Sequence, residues 1–483
     1  MTHNILENKC FWLILLILAL LAVTLPRAVM NYGIDGDAFR GMIAAKTLAQ
    51  TGSYEPSRLP GNPLFEYLLA AASLLNGHLI SNTMVLLFYP ACLFAFAAVI
   101  EGFEKKWLLF ALFALTPILV VNAATTMDYI PGLAMVLWSY RYAGKGKELW
   151  AFLFLGLAIG FRLSNALFVV PFGLFLILQG VPLMRVIPSG ILGIALGLLF
   201  YIPILAQCGW KTFEVPSHAY GIGLHVFLAG YRSLMVFGPI ASAGIIVLLL
   251  LNTRRIIGAT RRLISSRDPS YIAELSTVFM FLLIFLRHPD QSEYLIPVIP
   301  FAYLLAWRWF GPRQLLMLFV LVVSFSFVSI EFKGGESGRR TVTFRPDWGI
   351  LVRDFFERKE LNALRDGLPL FRGSDKAVIL HGYGPMLGFE NAALVKVDAN
   401  KISSRLDSHG ISETAFIHQL PGREVYFISG ISRENVDILR DDGYEIYCFS
   451  DSAPSHAIRK YGYDPYRIGI KRLDVLTGEA FYK

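Results

Sequence analysis

The chain has 483 residues, of which 55% are hydrophobic and 17% charged, and its formal net charge is +8. Soluble domains carry about 25% charged residues, so this composition excludes an ordinary soluble protein and predicts a membrane protein surrounded by a lipid bilayer. Its lysines and arginines are scattered between apolar runs rather than clustered with aromatic residues. That scatter excludes nucleic acid as an expected partner.

Apolar runs fill the chain up to about residue 331, and a spanning helix needs about 20 mostly apolar residues. The first run lacks a small-residue cleavage site and many runs follow it, so it is interpreted as an uncleaved helix rather than a signal peptide. Residues 1–331 are therefore predicted to form one polytopic α-helical domain. About eleven spans are predicted, at 11–30, 82–100, 107–123, 129–143, 149–162, 165–180, 184–206, 233–252, 271–287, 294–310 and 313–331.

Two helices on the outer surface of the membrane are predicted between the first two spans, at about 35–80. Four apolar residues within 39–49 fall on one helical face, which indicates a helix lying along the membrane surface. They are Phe39, Met42, Ile43 and Ala49. Asn62 and Pro63 have the form of an N-cap and a first helical residue. They open an apolar helix over 64–75 that is too short to span, so it is predicted to dip into the outer leaflet.

The orientation of the protein in the membrane follows from the lysines and arginines of the short loops. These residues are more frequent in the loops on the side of the N-terminus. Arg141, Arg308 and the arginines within 254–262 belong to these loops. The bias predicts a multi-pass protein of the plasma membrane with a cytoplasmic N-terminus. An odd number of spans then puts residues 332–483 outside the cytoplasm.

A polar, glycine-rich linker at 333–338 begins this last segment. Short β-rich runs follow at 377–380, 424–428 and 445–449, separated by polar stretches such as 433–442 that are predicted to be helical. Strands that alternate with helices are typical of a small α/β domain. Residues 332–483 are therefore predicted to form an extracytoplasmic α/β domain.

Asp35 and Asp37 stand just beyond the first span, on the predicted outer face. Aspartate is preferred in turns and at helix N-caps, which is a purely structural interpretation. A carboxylate at the lipid–water boundary can also act as general base for an incoming hydroxyl. An Asp-x-Asp pair can also hold a divalent cation, and no other metal site is indicated. The spacing alone leaves these interpretations open.

Arg58 and Glu66 lie on either side of the start of the short apolar helix. An interfacial arginine can simply meet lipid headgroups, or its planar guanidinium can grip a phosphate. A carboxylate within an apolar helix is costly unless it is paired. Glu66 is therefore expected to have a partner, and Arg58 is one candidate.

Further ionisable and polar residues occur at the outer ends of the predicted spans. Solvation at the interface explains each of them taken alone, but their gathering on one face favours a binding site. The cytoplasmic loops, in contrast, are merely positive. The outer residues are Asp128, Arg162, Arg287, His288, Glu293 and Tyr294.

The order of these motifs resembles the GT-C superfamily of membrane glycosyltransferases, which includes protein O-mannosyltransferases and the lipid A aminoarabinose transferase. The similar features are the acidic run at 35–40, the Pro-Leu-aromatic motif at Pro63, the outer acidic residue Asp128, and the Tyr-Leu-x-Pro-x-x-Pro run at 294–300. The resemblance covers about residues 10–331. It implies a polyprenyl-phosphate-linked sugar as donor, with no nucleotide sugar at the site.

The resemblance also implies roles for individual residues. The acidic residue of the family deprotonates or orients the acceptor, which points to Asp37 first and Asp35 second. Relatives often have lysine before the proline motif where this chain has Asn62, so the phosphate role shifts to Arg58. Many relatives have arginine where this chain has Glu293, which leaves the donor contacts of that cluster open.

The expected activity is an inverting glycosyl transfer on the outer face, because a single displacement of polyprenyl phosphate inverts the anomeric centre. Such a reaction needs a base and cationic groups near the phosphate, here Arg58 with Arg162 or Arg287. The sugar is expected to be a hexose or pentose, and the acceptor a lipid, a glycan or a protein.

A transporter or flippase is the alternative function, although the sequence shows neither repeated halves nor interrupted helices. A third interpretation is a non-catalytic assembly partner that binds through residues 332–483.

Overall fold

The computed structural model describes residues 16, 18–75, 77–104, 106–213, 222–334, 340–367, 373–380, 395–397, 399–406, 418–420, 422–428, 431–449, 462–463 and 466–468. The chain forms two compact units. The first comprises Met1–Tyr32 and Ala44–Phe355, and the second comprises Gly33–Ile43 and Phe356–Lys483.

Helices make up most of the first unit. In chain order they are α1 (Leu18–Ala28), α2 (Gly36–Thr51, which begins in the second unit), α3 (Pro63–Ser73), α4 (His78–Val99), α5 (Lys106–Ala114), α6 (Pro117–Ala123), α7 (Tyr129–Gly144), α8 (Glu148–Phe161), α9 (Val169–Leu178), α10 (Leu183–Leu199), α11 (Ile202–Cys208), α12 (Ile222–Met235), α13 (Pro239–Leu251), α14 (Thr253–Ser265), α15 (Pro269–Arg287), α16 (Ile299–Trp309) and α17 (Pro312–Ser324). Short 3-10 helices at Leu163–Phe168 and Ser292–Val298 precede α9 and α16.

Two of the described helices, α4 and α15, are long and apolar enough to cross a membrane, and up to four spans result if two bent helix pairs each count as one. The α5–α6 pair bends by 54° and the α12–α13 pair by 92°. Pro117 and Pro239 open the second helix of each pair, because proline lacks the N–H needed to continue the first. The predicted number of eleven spans is not confirmed, and the expectation of uninterrupted helices is wrong.

Glycines bring α8 and α10 into backbone contact. A Cβ atom at Gly193 would lie 2.4 Å from the carbonyl oxygen of Phe152, and one at Gly197 would lie 2.6 Å from the side chain of Ile159. Such small-residue contacts are typical of helix packing in membranes. They fix the position of α8, whose last residue precedes Arg162.

The predicted last span at 313–331 is wrong at its end. The helix α17 ends at Ser324, and strand β1 (Ser329–Gly334) pairs antiparallel with β2 (Arg340–Arg345). The aromatic and β-branched residues at 327–332 suit a half-buried strand as well as an apolar helix, so hydropathy does not distinguish them. The predicted boundary between residues 331 and 332 falls within β1, and residues 335–338 of the predicted linker lie outside the described residues.

The second unit contains a six-stranded mixed sheet. After α18 (Ile350–Gly367), which begins in the first unit, the strands are β3 (Lys376–Leu380), β4 (Val395–Lys396), β5 (His418–Leu420), β6 (Glu424–Ile428), β7 (Glu445–Phe449) and β8 (Tyr466–Ile468), with α19 (Arg433–Asp441) before β7. The strand order is β4-β5-β6-β3-β7-β8, and β3 runs parallel to β6 and β7. Val378, Ile428 and Leu439 belong to its core. The three predicted strands and the predicted helix at 433–442 are confirmed, while their extracytoplasmic location stays a prediction.

Candidate active site

A buried carboxylate joins the start of α7 to the end of α8. Asp128 directly precedes α7 and is 1% exposed. Arg162 directly follows α8, and its Nη1 atom donates to Oδ2 of Asp128 at 2.9 Å. Only residues 145–147 connect the two helices, so α7 and α8 run antiparallel and these two ends meet. A charge-assisted bond of this kind holds the guanidinium in a fixed position.

Two tyrosine rings also contact this guanidinium. The Cζ atom of Arg162 lies 4.3 Å from the ring centroid of Tyr129 and 5.0 Å from that of Tyr294, both within cation–π range. The hydroxyl of Tyr129 donates to Oε1 of Gln291 at 2.8 Å. This hydrogen bond ties the segment after α15 to the start of α7. Tyr294 and Asp128 therefore both contact the guanidinium of Arg162.

Arg58 approaches the same carboxylate from the loop between α2 and α3. Its Nη2 atom lies 3.9 Å from Oδ1 of Asp128, whereas Arg162 holds Oδ2. The side chain of Arg58 is 26% exposed and that of Arg162 is 14% exposed. Two guanidinium groups therefore flank one carboxylate, and the more accessible of the two belongs to Arg58.

Glu66 is a second buried carboxylate, at the start of α3. It accepts hydrogen bonds from the hydroxyls of Tyr54 and Ser57, and the N–H of Ser57 donates to its Oε1 at 3.3 Å. Burial raises the pKa of Glu66, while these bonds and the positive charge of Arg58 act in the opposite direction. Glu66 was expected to have a partner, and the hydroxyls of Tyr54 and Ser57 bind its carboxylate. Arg58, the candidate partner named from the sequence, acts on this carboxylate through its positive charge.

Asp35 and Asp37 lie at the start of α2, in the second compact unit. Oδ1 of Asp35 accepts the N–H of Asp37 at 2.9 Å, which is the geometry of a helix N-cap. Oδ1 of Asp37 accepts from Nη1 of Arg40 at 3.0 Å, and the side chain of Asp37 is 10% exposed. The capping interpretation is correct for Asp35, and the carboxylate of Asp37 is paired with a cation on the same helix.

The remaining predicted residues follow α15. Glu293 is close enough for its charge to act on Tyr129. His288 directly follows α15 and is half-buried. Arg287 is exposed at the end of α15, and within the described part of the chain it has no contact with the group around Asp128. The structure therefore brings Arg58, Asp128, Arg162 and Tyr294 together and leaves Arg287 outside.

Sequence reasoning missed four residues of this region. They are Tyr54, Ser57, Tyr129 and Gln291. The sequence feature that could have pointed to them is their position, since each lies within four residues of a predicted site residue. Their contacts depend on tertiary packing, which neither hydropathy nor charge pattern records.

No metal site is evident among the residues that the structure describes, because they contain no group of three or more His, Cys, Asp or Glu residues able to hold an ion. The carboxylates of Asp35 and Asp37 contact an N–H and a guanidinium respectively. A cation at this pair stays a proposal.

Comparison with solved structures finds a similar fold, as the resemblance in the sequence led us to expect. The chain is similar to ArnT from Cupriavidus metallidurans in a structure bound to undecaprenyl phosphate, with 11% identity, a TM-score of 0.51, and coverage of 78% of this chain and 84% of that one. For ArnT of the same organism in the apo state, the values are 16% identity, a TM-score of 0.45, and coverage of 64% and 62%. The match to the apo chain thus spans less than two thirds of its length. No protein-family model and no curated protein matches the sequence.

Proposed function

We propose that this protein is an inverting glycosyltransferase that moves a hexosyl or pentosyl group from a polyprenyl-phosphate-linked donor to an acceptor hydroxyl at the outer face of the plasma membrane. The observation that carries the proposal is the pair of guanidinium groups, Arg58 and Arg162, around the buried carboxylate of Asp128. The fold adds support, since ArnT has been solved bound to undecaprenyl phosphate. A phosphate attached to a lipid needs such cations beside an apolar surface.

In the proposed reaction, the acceptor oxygen attacks the anomeric carbon from the face opposite the phosphate. The bond between the anomeric carbon and the phosphate oxygen breaks, and polyprenyl phosphate leaves with the electron pair. The acceptor proton passes to the carboxylate of Asp37, which acts as the base or orients the hydroxyl. Asp35 is the second candidate for this role. One displacement of this kind inverts the anomeric centre.

The two arginines would stabilise the charge that develops on the leaving phosphate. Arg162 is held by Asp128 and by two aromatic rings, so it needs no reorganisation during the reaction. Arg58 has the more exposed side chain and would make the more direct phosphate contact. A planar guanidinium suits two phosphate oxygens better than a lysine ammonium does.

Glu66 would act by positioning rather than by touching the donor. Its carboxylate binds both the side chain and the N–H of Ser57, the residue before Arg58. That contact fixes the backbone from which the Arg58 side chain extends. Tyr294, Glu293 and His288 are proposed to lie along the donor side of the site, and the acceptor is a hydroxyl of a lipid, a glycan or a protein.

Transfer by purified protein from a panel of polyprenyl-phosphate sugars to membrane acceptors tests the proposal. Asp37→Asn should lower kcat by about 10²- to 10⁴-fold, the usual contribution of a positioned general base. A matched control is Asp268→Asn. Asp268 pairs with an arginine, as Asp37 does, through Nη1 of Arg308 at 3.3 Å. It also caps a helix, as Asp35 does, accepting from the N–H of Tyr271 at 2.8 Å. Full transfer by both Asp37→Asn and Asp35→Asn variants would show that the assignment of the base is wrong.

Two further outcomes separate the alternatives. Substrate counterflow into vesicles without product formation would support a transporter instead of a transferase.

A chelator such as EDTA tests the proposed divalent cation at Asp35 and Asp37. Loss of activity that added cation restores would support a metal, and unchanged activity would argue against it.

A further inference from the structure

The helix α14 lies at the opposite end of the bundle from the candidate active site. The next helix, α15, has 19 residues, which corresponds to about 28 Å. Shortly after its far end, Gln291 contacts Tyr129, next to Asp128. At its near end, Asp268 pairs with Arg308 at 3.3 Å. α14 is therefore separated from the candidate site by the length of α15, and the predicted topology puts it on the cytoplasmic side.

One face of α14 is fixed to the bundle. Ala259 is buried, and the hydroxyl of Thr260 lies 2.7 Å from the hydroxyl of Tyr271, which is fully buried in α15. This attachment decides which side chains of α14 point away from the protein.

The outward surface of α14 carries arginines beside isoleucines. Residues seven apart fall on nearly the same side of a helix, so the arginines form two adjacent rows. Ile257 and Ile264, 46% and 48% exposed, form a further row next to them. The exposed arginines are Arg254, Arg255, Arg261 and Arg262.

These arginines have no carboxylate partner within the described part of the chain. The carboxylate closest in sequence, Asp268, pairs with Arg308 instead. Four positive charges on about two and a half helical turns repel one another unless an anion lies between them. The surface is therefore complementary to a multiply anionic layer.

We propose that α14 binds the phosphate headgroups of anionic phospholipids in the leaflet opposite the candidate active site. In this arrangement Ile257 and Ile264 enter the acyl boundary and the arginines bind the phosphates, as in interfacial helices. The apolar surface continues onto the end of α13, where Leu250 and Leu251 are 69% and 78% exposed. This continuity with an exposed apolar helix favours a lipid surface over a protein partner.

The experiment compares lipid retention by the full chain in detergent. Native mass spectrometry counts bound phosphatidylglycerol and phosphatidylcholine with identical acyl chains. The wild type should prefer phosphatidylglycerol, and the preference should fall by about fivefold for each arginine replaced by glutamine. The combined variant R254Q/R255Q/R261Q/R262Q should retain both lipids about equally, whereas the matching lysine variant should keep most of the preference.

A control variant removes the same charge elsewhere. Lys145, Lys147, Arg185 and Arg313 are exposed cations outside α14. Replacing all four by glutamine should leave most of the preference in place, because these cations are not gathered on one helical surface as those of α14 are. The proposal is overturned if the α14 variant keeps the wild-type preference, or if the control loses as much of it. It is also overturned if the preference of the wild type persists at high salt, a measurement that needs no variant to fold.

Discussion

Oδ2 of Asp128 accepts a hydrogen bond from Nη1 of Arg162 at 2.9 Å, and both side chains are largely shielded from solvent. This contact links the start of α7 to the end of α8. It also places a fixed positive charge beside Arg58, whose Nη2 atom lies 3.9 Å from the same carboxylate. The proposed function depends on this arrangement, so its loss should affect both stability and transfer.

Asp128→Asn should leave the guanidinium of Arg162 shielded without its counter-charge. Breaking a buried ion pair from one side costs about 3–5 kcal/mol, so the melting temperature in detergent should fall clearly. A companion variant, Asp128→Asn with Arg162→Met, removes both charges and should recover much of the stability while staying inactive. A single variant as stable as the wild type would contradict this account of the pair.

Arg58→Gln should weaken the donor interaction without unfolding the protein, because Arg58 is the more exposed of the two arginines. Hydrogen bonds to charged groups contribute about 1.5–3 kcal/mol, so kcat/KM for the donor should fall by about 10- to 100-fold. Arg58→Lys should lose less. Arg141→Gln is a suitable control, since Arg141 pairs with exposed Glu101 at the other end of α7. Equal losses in both variants would argue against a phosphate role for Arg58.

Glu66→Gln should change how stability depends on pH. Burial raises the pKa of Glu66 above the ordinary value of 4.5, so the folded state binds this proton more tightly than the unfolded state does. The stability that the folded state gains from binding this proton is fully present below the pKa that Glu66 has in the unfolded state. It is lost as the pH rises through the higher pKa that Glu66 has in the folded state. The melting temperature of the variant relative to the wild type should therefore increase as the pH rises above about 4.5. A constant difference between about pH 4 and pH 7 would contradict a raised pKa.

Gly193→Leu should disrupt the contact of α10 with α8. Its Cβ atom would already lie 2.4 Å from the carbonyl oxygen of Phe152, and overpacking typically costs about 1–3 kcal/mol or more. Because α8 carries Arg162 at its end, transfer activity should fall together with the yield of folded protein. Gly230→Leu in α12 is the matched control, since a Cβ there meets nothing within 4 Å. Similar yields for the two variants would show that this packing is not needed.

Local patterns predicted the helices near the candidate site. Asn62 and Pro63 identified the start of α3, and the apolar face of 39–49 identified α2, because capping and periodicity are properties of neighbouring residues. Position at a span end likewise identified Asp128 and Arg162. Sequence therefore indicated which residues lie near the site.

The pairing of these residues could not be predicted, since it depends on contacts between distant segments. Glu66 is satisfied by Tyr54 and Ser57, neutral donors that carry no charge signal. Arg308 was counted only as a loop cation, yet its Nε atom lies 2.9 Å from the buried carboxylate of Glu274 in α15. A single glutamate within an apolar run barely changes its hydropathy. Its partner lies on another helix, where no sequence period points to it.

Binding of undecaprenyl phosphate is the sharpest test of the proposed donor site, because it requires no knowledge of the sugar or the acceptor. The dissociation constant of the full chain for undecaprenyl phosphate is compared with that for undecaprenol, which has the same tail without the phosphate. The phosphate form should bind at least about 10-fold more tightly, and Arg58→Gln should remove most of this difference. Equal affinity for the two lipids, or a difference that Arg58→Gln leaves intact, would contradict the proposed donor site.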